Sequence, residues 1–167
     1  MRDADEWIKR LNMAEHPEGG YYREIYRSGE TIARDHLPDR FGGDRVFSTA
    51  IVFLLSAGEF SALHRIKQDE VWHHYDGAAL TIHVIDPGGE YSTIKLGCDI
   101  ENGEVPQAVV NAGCLFGTTV SGEGAYALTG CTVAPGFDFD DFEMPDRDTL
   151  VRQFPQHRAI IEKLIRR

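Results

Sequence analysis

The chain has 167 residues, which suits one domain over residues 1–167, and 42% of them are apolar, which is enough for a hydrophobic core. With 27 acidic against 17 basic side chains the formal net charge is −10, so we expect neither nucleic acid nor an anionic membrane as a partner. The sequence has no apolar run of about 18 residues and no basic, then apolar start, so it predicts neither a membrane-spanning helix nor a secretory signal.

A short amphipathic helix is predicted at the N-terminus. Asp3 is a suitable cap with Glu6 three residues later, and Trp7, Ile8 and Leu11 form one apolar stripe. Helical periodicity returns only near the C-terminus, where the apolar positions of residues 160–165 lie on one face.

Short runs with β-strand composition, separated by glycine and proline, make up the middle of the chain. Many short strands at this spacing, without helices between them, indicate an antiparallel sandwich or barrel. We therefore predict an all-β fold with short helices at both ends. The predicted strands are Tyr21–Tyr26, Val46–Leu55, Phe60–Ile66, Glu70–Tyr75, Leu80–Ile85, Ser92–Leu96, Ala108–Val110, Leu115–Val120 and Tyr126–Val133.

The run Val46–Leu55 is apolar at almost every position rather than alternating, so both of its faces are expected to be covered. A second sheet would cover one face, and a partner chain would cover the other. Tyr21, Tyr22 and Tyr26 add further β surface of this kind. Because large exposed apolar patches usually mark interfaces and two-fold pairs are the commonest oligomers, we predict a homodimer.

The cysteines Cys98, Cys114 and Cys131 are odd in number and include no close pair. Such a set builds neither a disulfide framework nor a zinc knuckle. We interpret them as free thiols in a reducing compartment, which predicts a cytoplasmic protein.

The centre of the predicted β array carries histidine, glutamate and glycine at a regular spacing. Five residues separate Gly58 from His64, five more separate His64 from Glu70, and six separate Glu70 from Gly77. This spacing resembles the first signature of the cupin superfamily. In that signature a second histidine stands where this chain has Ile66.

A second segment, Asn111–Phe116, resembles the second cupin signature, but Asn111 replaces the usual proline and Phe116 replaces the usual histidine. Longer motifs resemble one branch, cupin family 5, whose members are single-domain cupins of unknown function. These motifs run in order along nearly the whole chain: His16–Glu24, Phe60–Ile66, Asp69–His73, Gly130–Phe139 and Phe142–Glu143.

The family resemblance implies a double-stranded β-helix, or jelly roll, commonly paired as a homodimer. Within the superfamily, the run Ser61–Arg65 is similar to the Arg-Gly-Leu-His stretch of dTDP-4-dehydrorhamnose 3,5-epimerase, a cupin that uses a histidine as general base without metal. That likeness implies His64 as the catalytic residue.

His64 and Glu70 are the first candidates for a pocket inside the jelly roll. At an inward-facing strand position His64 would serve as a base or a ligand, and the alternative is a hydrogen-bonded core histidine. Glu70 lies beside Val71 and Trp72 in a strand run, where a buried carboxylate is costly unless it is paired. It is therefore either a pocket group or an edge residue in water.

Neighbouring positions supply further pocket candidates. Trp72 and Phe116 are expected to line the pocket, and the alternation of strand residues puts His74, rather than His73, on the face of Trp72. Arg23 has a planar guanidinium suited to clamping a carboxylate or phosphate, and its alternative is a salt bridge with a nearby glutamate or a partner chain.

Three functions remain open from the sequence. They are an enzyme such as an isomerase or epimerase of a sugar-like or carbonyl metabolite, with His64 as general acid or base; a non-catalytic metabolite-binding cupin; and a metal-dependent cupin. A catalytic metal site generally needs three protein ligands, and only His64 and Glu70 stand at signature positions. We therefore predict no metal cofactor, and His64 and Glu70 would be the two ligands in the alternative.

Overall fold

A computed structural model of the protein describes residues 3–122 and 125–166, and most of its regular structure is antiparallel β-sheet. None of the helices in these residues is long and apolar enough to cross a membrane. The helices are α1 (Ala4–Leu11), α2 (Arg147–Gln153) and α3 (Arg158–Lys163). The strands are β1 (Ala14–Glu15), β2 (Tyr21–Arg27), β3 (Thr31–Ile32), β4 (Arg45–Val46), β5 (Thr49–Ser56), β6 (Phe60–His64), β7 (Asp69–Gly77), β8 (Leu80–Ile85), β9 (Tyr91–Leu96), β10 (Gln107–Val110), β11 (Leu115–Val120) and β12 (Tyr126–Ala134).

Two antiparallel sheets form the body of the fold. One has six strands in the order β1-β2-β5-β12-β7-β10, the other has four in the order β6-β11-β8-β9, and β3 pairs with β4. Side chains from both sheets meet in one core, with Phe53 and Trp72 from the first sheet and Leu80, Ile82 and Phe116 from the second. The predicted all-β architecture with short terminal helices is therefore confirmed.

The terminal helices cover the outer faces of the sheets. Helices α2 and α3 pack on the four-stranded sheet, where Leu63, Leu115 and Leu150 are buried together. Helix α1 packs on the six-stranded sheet over Leu54 and Leu128. The chain's own helix thus covers part of the outer face of β5.

The predicted strand Val46–Leu55 is interrupted at Phe47 and Ser48, and its residues belong to β4 and β5. The backbone N–H of Phe47 donates to the carbonyl oxygen of Glu30, and the carbonyl oxygen of Ser48 accepts from the N–H of Ser28. These two residues therefore bond to the connection that follows β2 instead of extending the sheet.

The segment after β12 is attached to the rest of the fold by a buried ion pair. Arg45 donates two hydrogen bonds of 2.7 Å to the carboxylate of Asp141, and both side chains are almost fully buried. Gln68 donates a third bond of 2.8 Å to the same carboxylate. These bonds hold residues 137–142 against the inner side of the six-stranded sheet.

Candidate functional site

A cavity of about 250 Å³ opens on the inner face of the six-stranded sheet. Alternate residues of β2, β5, β7 and β12 form its floor, because successive strand side chains point to opposite faces. The end of β6 and the segment 137–142 close its sides. The residues that line it are His16, Glu18, Tyr22, Glu24, Arg27, Thr49, Ile51, Phe53, His64, Ile66, Glu70, Trp72, Cys131, Val133, Phe137, Phe139 and Phe142.

His64, the last residue of β6, is held at both ring nitrogens and is 3% exposed. Its Nδ1 lies 2.7 Å from the carbonyl oxygen of Ala62, and because a carbonyl only accepts, Nδ1 carries a proton. Its Nε2 lies 3.0 Å from Oε2 of Glu18. An unprotonated nitrogen would repel a carboxylate, so one proton lies between the two side chains. This His64–Glu18 pair therefore has no net charge, whichever partner holds the proton.

Burial favours the uncharged form of this pair. It raises the pKa of Glu18 and lowers the pKa of His64, since neither charge is solvated by water in the cavity wall. The second carboxyl oxygen of Glu18 accepts a hydrogen bond of 2.9 Å from the hydroxyl of Ser61. The preferred arrangement is a protonated Glu18 that donates to a neutral His64.

Glu18 reaches the cavity from the turn between β1 and β2 and not from a strand. Gly19 and Gly20 follow it with φ values of +117° and +74°, a region that glycine adopts far more readily than other residues. The carbonyl oxygen of Glu18 accepts from the N–H of Ala62 at 2.8 Å and from Nε of Arg166 at 3.0 Å. The turn therefore fixes both the backbone and the side chain of Glu18 beside β6.

Glu70 extends from β7 into the same cavity and is 8% exposed. Burial raises its pKa to about 7; His64 and the thiol of Cys131 lower it in part, and Glu18 raises it further. Such a carboxyl is half ionised near neutral pH, so it can both take up and release a proton. Burial and Glu70 together raise the pKa of Cys131 well above its ordinary value, so this thiol stays protonated.

Aromatic rings surround these polar groups. The ring of Phe142 lies 5.3 Å from that of His64, and the rings of Phe139 and Phe142 lie 6.4 and 6.0 Å from that of His16. Trp72 contributes a largely buried indole whose Nε1–H has no hydrogen-bond partner among the residues described. An acceptor on a bound ligand would satisfy this donor.

Glu24 and Arg27 form an ion pair among the lining residues. Nε and Nη2 of Arg27 donate to the two carboxylate oxygens of Glu24 at 3.0 and 2.8 Å. Nη2 is also 3.3 Å from the carbonyl oxygen of Phe137. Within residues 3–122 and 125–166, Arg27 is the sole lysine or arginine that lines the cavity, and its fork is already occupied by a carboxylate.

Half of the pocket residues predicted from the sequence line this cavity, namely His64, Glu70 and Trp72. Phe116 lies in the core behind them, with its ring centroid 4.1 Å from that of His64. It supports the imidazole from outside the cavity, which corrects its expected place in the lining.

Arg23 does not line the cavity either. Tyr22 and Glu24 face inward from β2, so Arg23 between them points to the opposite face of the sheet. There its Nη1 lies 3.4 Å from the carbonyl oxygens of Leu11 and Asn12, at the end of α1. Its guanidinium is therefore not placed to clamp a ligand in this cavity.

His74 keeps the strand face of Glu70 and Trp72 but lies farther along β7, outside the lining. Its Nε2 donates to the carbonyl oxygen of Ala78 at 3.1 Å, and its Nδ1 lies 3.6 Å from the sulfur of Cys98. Alternation thus predicts the correct face for His74 but not its distance from the cavity.

His16 and Glu18 line the cavity although they are not among the pocket residues predicted from the sequence. His16 packs edge-on against Tyr22, with ring centroids 4.7 Å apart, and burial lowers its pKa. Both residues lie in a turn, where no strand alternation indicates which side chains point inward. The available signal is the family-like motif His16–Glu24, in which a glutamate precedes two glycines.

Two positions of the cupin signatures lack a metal-binding side chain, since Ile66 and Phe116 have no atom that coordinates a metal. The described part of the chain contains no group of three or more histidine, cysteine, aspartate or glutamate residues arranged to hold a metal ion.

Comparison with known proteins identifies the family. The sequence model of the Cupin_5 family, described as Cupin superfamily (DUF985), matches residues 5–145. The chain belongs to this cupin family. The resemblance drawn from its motifs is therefore confirmed.

Two solved structures and one curated protein are similar to most or nearly all of the chain. Protein SO0799 from Shewanella oneidensis is 43% identical, with a TM-score of 0.88 and 99% of each chain covered. A hypothetical protein from Leishmania major is 36% identical, with a TM-score of 0.90, and the match covers 99% of this chain and 100% of that one. The uncharacterized protein YML079W of Saccharomyces cerevisiae is 28% identical over 142 residues, which are 80% of this cupin and 71% of the yeast protein.

A more distant likeness concerns the fold alone. Oxalate decarboxylase OxdC from Bacillus subtilis has a TM-score of 0.55 at 14% identity, over 90% of this cupin and 37% of the decarboxylase chain. The cupin jelly roll is therefore confirmed as the fold.

Proposed function

We propose that this cupin binds a small sugar-like or carbonyl metabolite and catalyses proton transfer on it, as an isomerase or epimerase, without a metal ion. The observation that carries the proposal is the placement of Glu70, a buried carboxyl with a pKa of about 7, in one cavity with the His64–Glu18 pair. Groups that exchange protons near neutral pH are what acid–base catalysis requires.

Glu70 and the His64–Glu18 pair suit two different proton transfers. Ionised Glu70 takes the proton from the carbon next to the carbonyl, and the electrons of the broken C–H bond move toward the carbonyl oxygen. That oxygen then takes the proton that lies between His64 and Glu18. Glu70 gives an isomer when it returns its proton to the former carbonyl carbon and the hydroxyl of the neighbouring carbon gives its proton to the His64–Glu18 pair. It gives an epimer when the intermediate turns over in the cavity, Glu70 returns its proton to the other face of the same carbon, and the enol oxygen gives its proton back to the pair.

His64 has a specific role in this scheme. Its Nδ1–H is held by the carbonyl oxygen of Ala62, so only Nε2 changes its proton, and it does so together with Glu18. His64 thus serves as general acid or base through the shared proton, while Glu70 exchanges protons with the substrate directly.

The residues also support a metal-independent reaction. The two cupin signatures retain His64 and Glu70 but place Ile66 and Phe116 where ligating histidines would stand. The proposal therefore assigns the chemistry to the side chains themselves.

The test is solvent deuterium exchange, followed by proton NMR in heavy water over a panel of ketoses, keto sugars and keto acids. We expect loss of one C–H signal next to a carbonyl, and a rate that falls by about 100-fold or more in Glu70→Gln and in His64→Gln. Glu101→Gln is the matched control, because Glu101 is exposed and remote from the cavity lining. Metal content is measured on the same protein, purified without chelator.

The outcomes separate the proposal from its alternatives. Exchange that survives chelation and requires Glu70 supports it. Exchange that is unchanged in Glu70→Gln, or activity that follows the content of zinc, iron, nickel or manganese, overturns it.

Metabolite binding without catalysis is the second candidate. The full occupation of both His64 nitrogens favours it, since neither nitrogen is free to meet a substrate without breaking a hydrogen bond. Saturable binding of a metabolite in a thermal-shift screen, with no deuterium incorporation, would establish this function instead.

A further inference from the structure

Near neutral pH the charge of the cavity is set by a single group. Arg27 is neutralised by Glu24, the His64–Glu18 pair shares one proton and has no net charge, and His16 stays uncharged because burial lowers its pKa. Glu70 is then the lining carboxyl whose ionisation changes the net charge. Among the described lining residues, the cavity is neutral when Glu70 is protonated and negative when it is ionised.

The remaining surface is mostly aromatic. Tyr22, Phe53 and Trp72 come from the sheet, and Phe137, Phe139 and Phe142 come from the segment that closes the cavity. Aromatic rings attract cations through the negative charge of their faces, and the attraction grows where water is excluded. A carboxylate among such rings is a common arrangement for binding an ammonium group.

We infer that the ligand of this cavity carries a positive charge, as an organic ammonium group held among the aromatic rings beside Glu70, and that anionic ligands are rejected. The inference rests on the proposed function and refines its substrate to an amine-bearing carbonyl compound, such as an amino sugar. A phosphate or carboxylate ligand would have no free cation to pair with in the described lining, because the Arg27 fork is occupied.

The inference also predicts that the affinity for a cation depends on pH, because binding is linked to the ionisation of Glu70. A bound cation stabilises the ionised form of Glu70, so binding below neutral pH displaces a proton. The titratable groups that face Glu70 are His64 from β6, Glu18 from the turn before β2 and Cys131 from β12. The first two share one proton without net charge, and the thiol stays protonated. His16, whose Nδ1 lies 3.5 Å from Oε2 of Glu18, stays uncharged because burial lowers its pKa, so Glu70 dominates the pH dependence near 7.

Three probes of similar shape and different charge test this selectivity. They are choline, its uncharged carbon isostere dimethylbutanol, and the anion tert-butylacetate, each titrated into the full-length protein by calorimetry. At pH 8 we expect choline to bind roughly tenfold tighter than dimethylbutanol, and the anion to bind more weakly than either. Between pH 6 and pH 8 the affinity for choline should rise by up to about tenfold, while that for dimethylbutanol should not rise.

Substitutions show whether Glu70 causes the preference for choline. Glu70→Gln should remove most of the preference for choline over dimethylbutanol and its pH dependence, while Glu101→Gln should leave both unchanged. Equal affinity for choline and dimethylbutanol, tighter binding of tert-butylacetate, or no binding of choline at millimolar concentrations overturns the inference. The pH series on the unaltered protein decides the matter even if a variant fails to fold.

The result is independent of catalysis. A preference for the cation, together with no deuterium exchange on any carbonyl compound, leaves this inference standing and removes the proposed reaction. Deuterium exchange on a carbonyl compound, without a preference for choline, would support the proposed reaction and overturn this inference.

Discussion

Replacing Glu70 with glutamine is expected to stabilise the protein at alkaline pH and to have a smaller effect in acid. The carboxyl has a pKa of 4.5 in an unfolded chain and about 7 when buried in the cavity. The folded protein therefore binds this proton more tightly, and stability falls as the pH rises from 4.5 through 7. The distance between the two pKa values corresponds to about 3 kcal/mol of unfolding free energy once the group is ionised in both states.

Urea unfolding at pH 5 and at pH 8.5 measures this effect. The stability gained by Glu70→Gln over the unaltered protein should be larger by about 2 kcal/mol at the higher pH, because the carboxylate is then ionised against its burial. Subtracting one protein from the other removes the groups that titrate in both. Glu101→Gln should show no gain at either pH.

One result would contradict a raised pKa of Glu70 in the folded protein. An equal stability difference at the two pH values would show that Glu70 titrates alike in the folded and unfolded chains. Water would then solvate the Glu70 carboxyl better than its burial indicates, and Glu70 would not be a group that exchanges protons near neutral pH.

Three further predictions concern other parts of the molecule. Asp141→Asn leaves Arg45 buried without a counter-charge and should lower the unfolding free energy by about 3–5 kcal/mol in urea titrations; a change below 1 kcal/mol would contradict a buried pair. Alkylation of the native protein, mapped by mass spectrometry, should modify Cys98, which is exposed, whereas Cys114 and Cys131 should react only on unfolding. Light scattering at micromolar concentration should give twice the chain mass of 18.7 kDa for the predicted homodimer, and the single mass would refute it.

The strands are largely predictable because their composition and their bounding glycines act locally. The predicted runs Leu80–Ile85 and Leu115–Val120 coincide with β8 and β11. The interruption at Phe47 and Ser48 is not predictable in this way. It depends on hydrogen bonds to the connection after β2, which the local sequence does not specify.

The candidate site is predictable only where strand alternation has a reference point. The cupin spacing identifies His64 as inward-facing, and Glu70 and Trp72 follow from their own strand positions. On β2 no such reference exists, so the inward positions of its residues and the outward position of Arg23 are not evident. Alternation predicts the face on which a side chain lies but not how far along the strand the cavity extends. His74 therefore has the predicted face but lies outside the cavity lining.

The inward positions of residues on turns and connections could not be predicted from the sequence. Glu18 is inward because two glycines with positive φ turn the chain beside β6. Phe139 and Phe142 reach the cavity because the buried Asp141 carboxylate fixes their segment. Each depends on long-range contacts, whereas a sequence pattern reports neighbours along the chain.

Glu18 and Glu70 are two carboxyls in one cavity, and their different partners explain why they would do different work. Glu18 has permanent partners in Ser61 and His64 and a fixed backbone, so it would exchange a proton with a ligand only together with His64. Glu70 has the weak donor Cys131 beside it and opens on the cavity, so its proton is free to exchange with a ligand. Burial raises the pKa of both, and in the proposed reaction Glu70 would exchange its proton with the bound molecule directly, whereas Glu18 would act through the proton that it shares with His64.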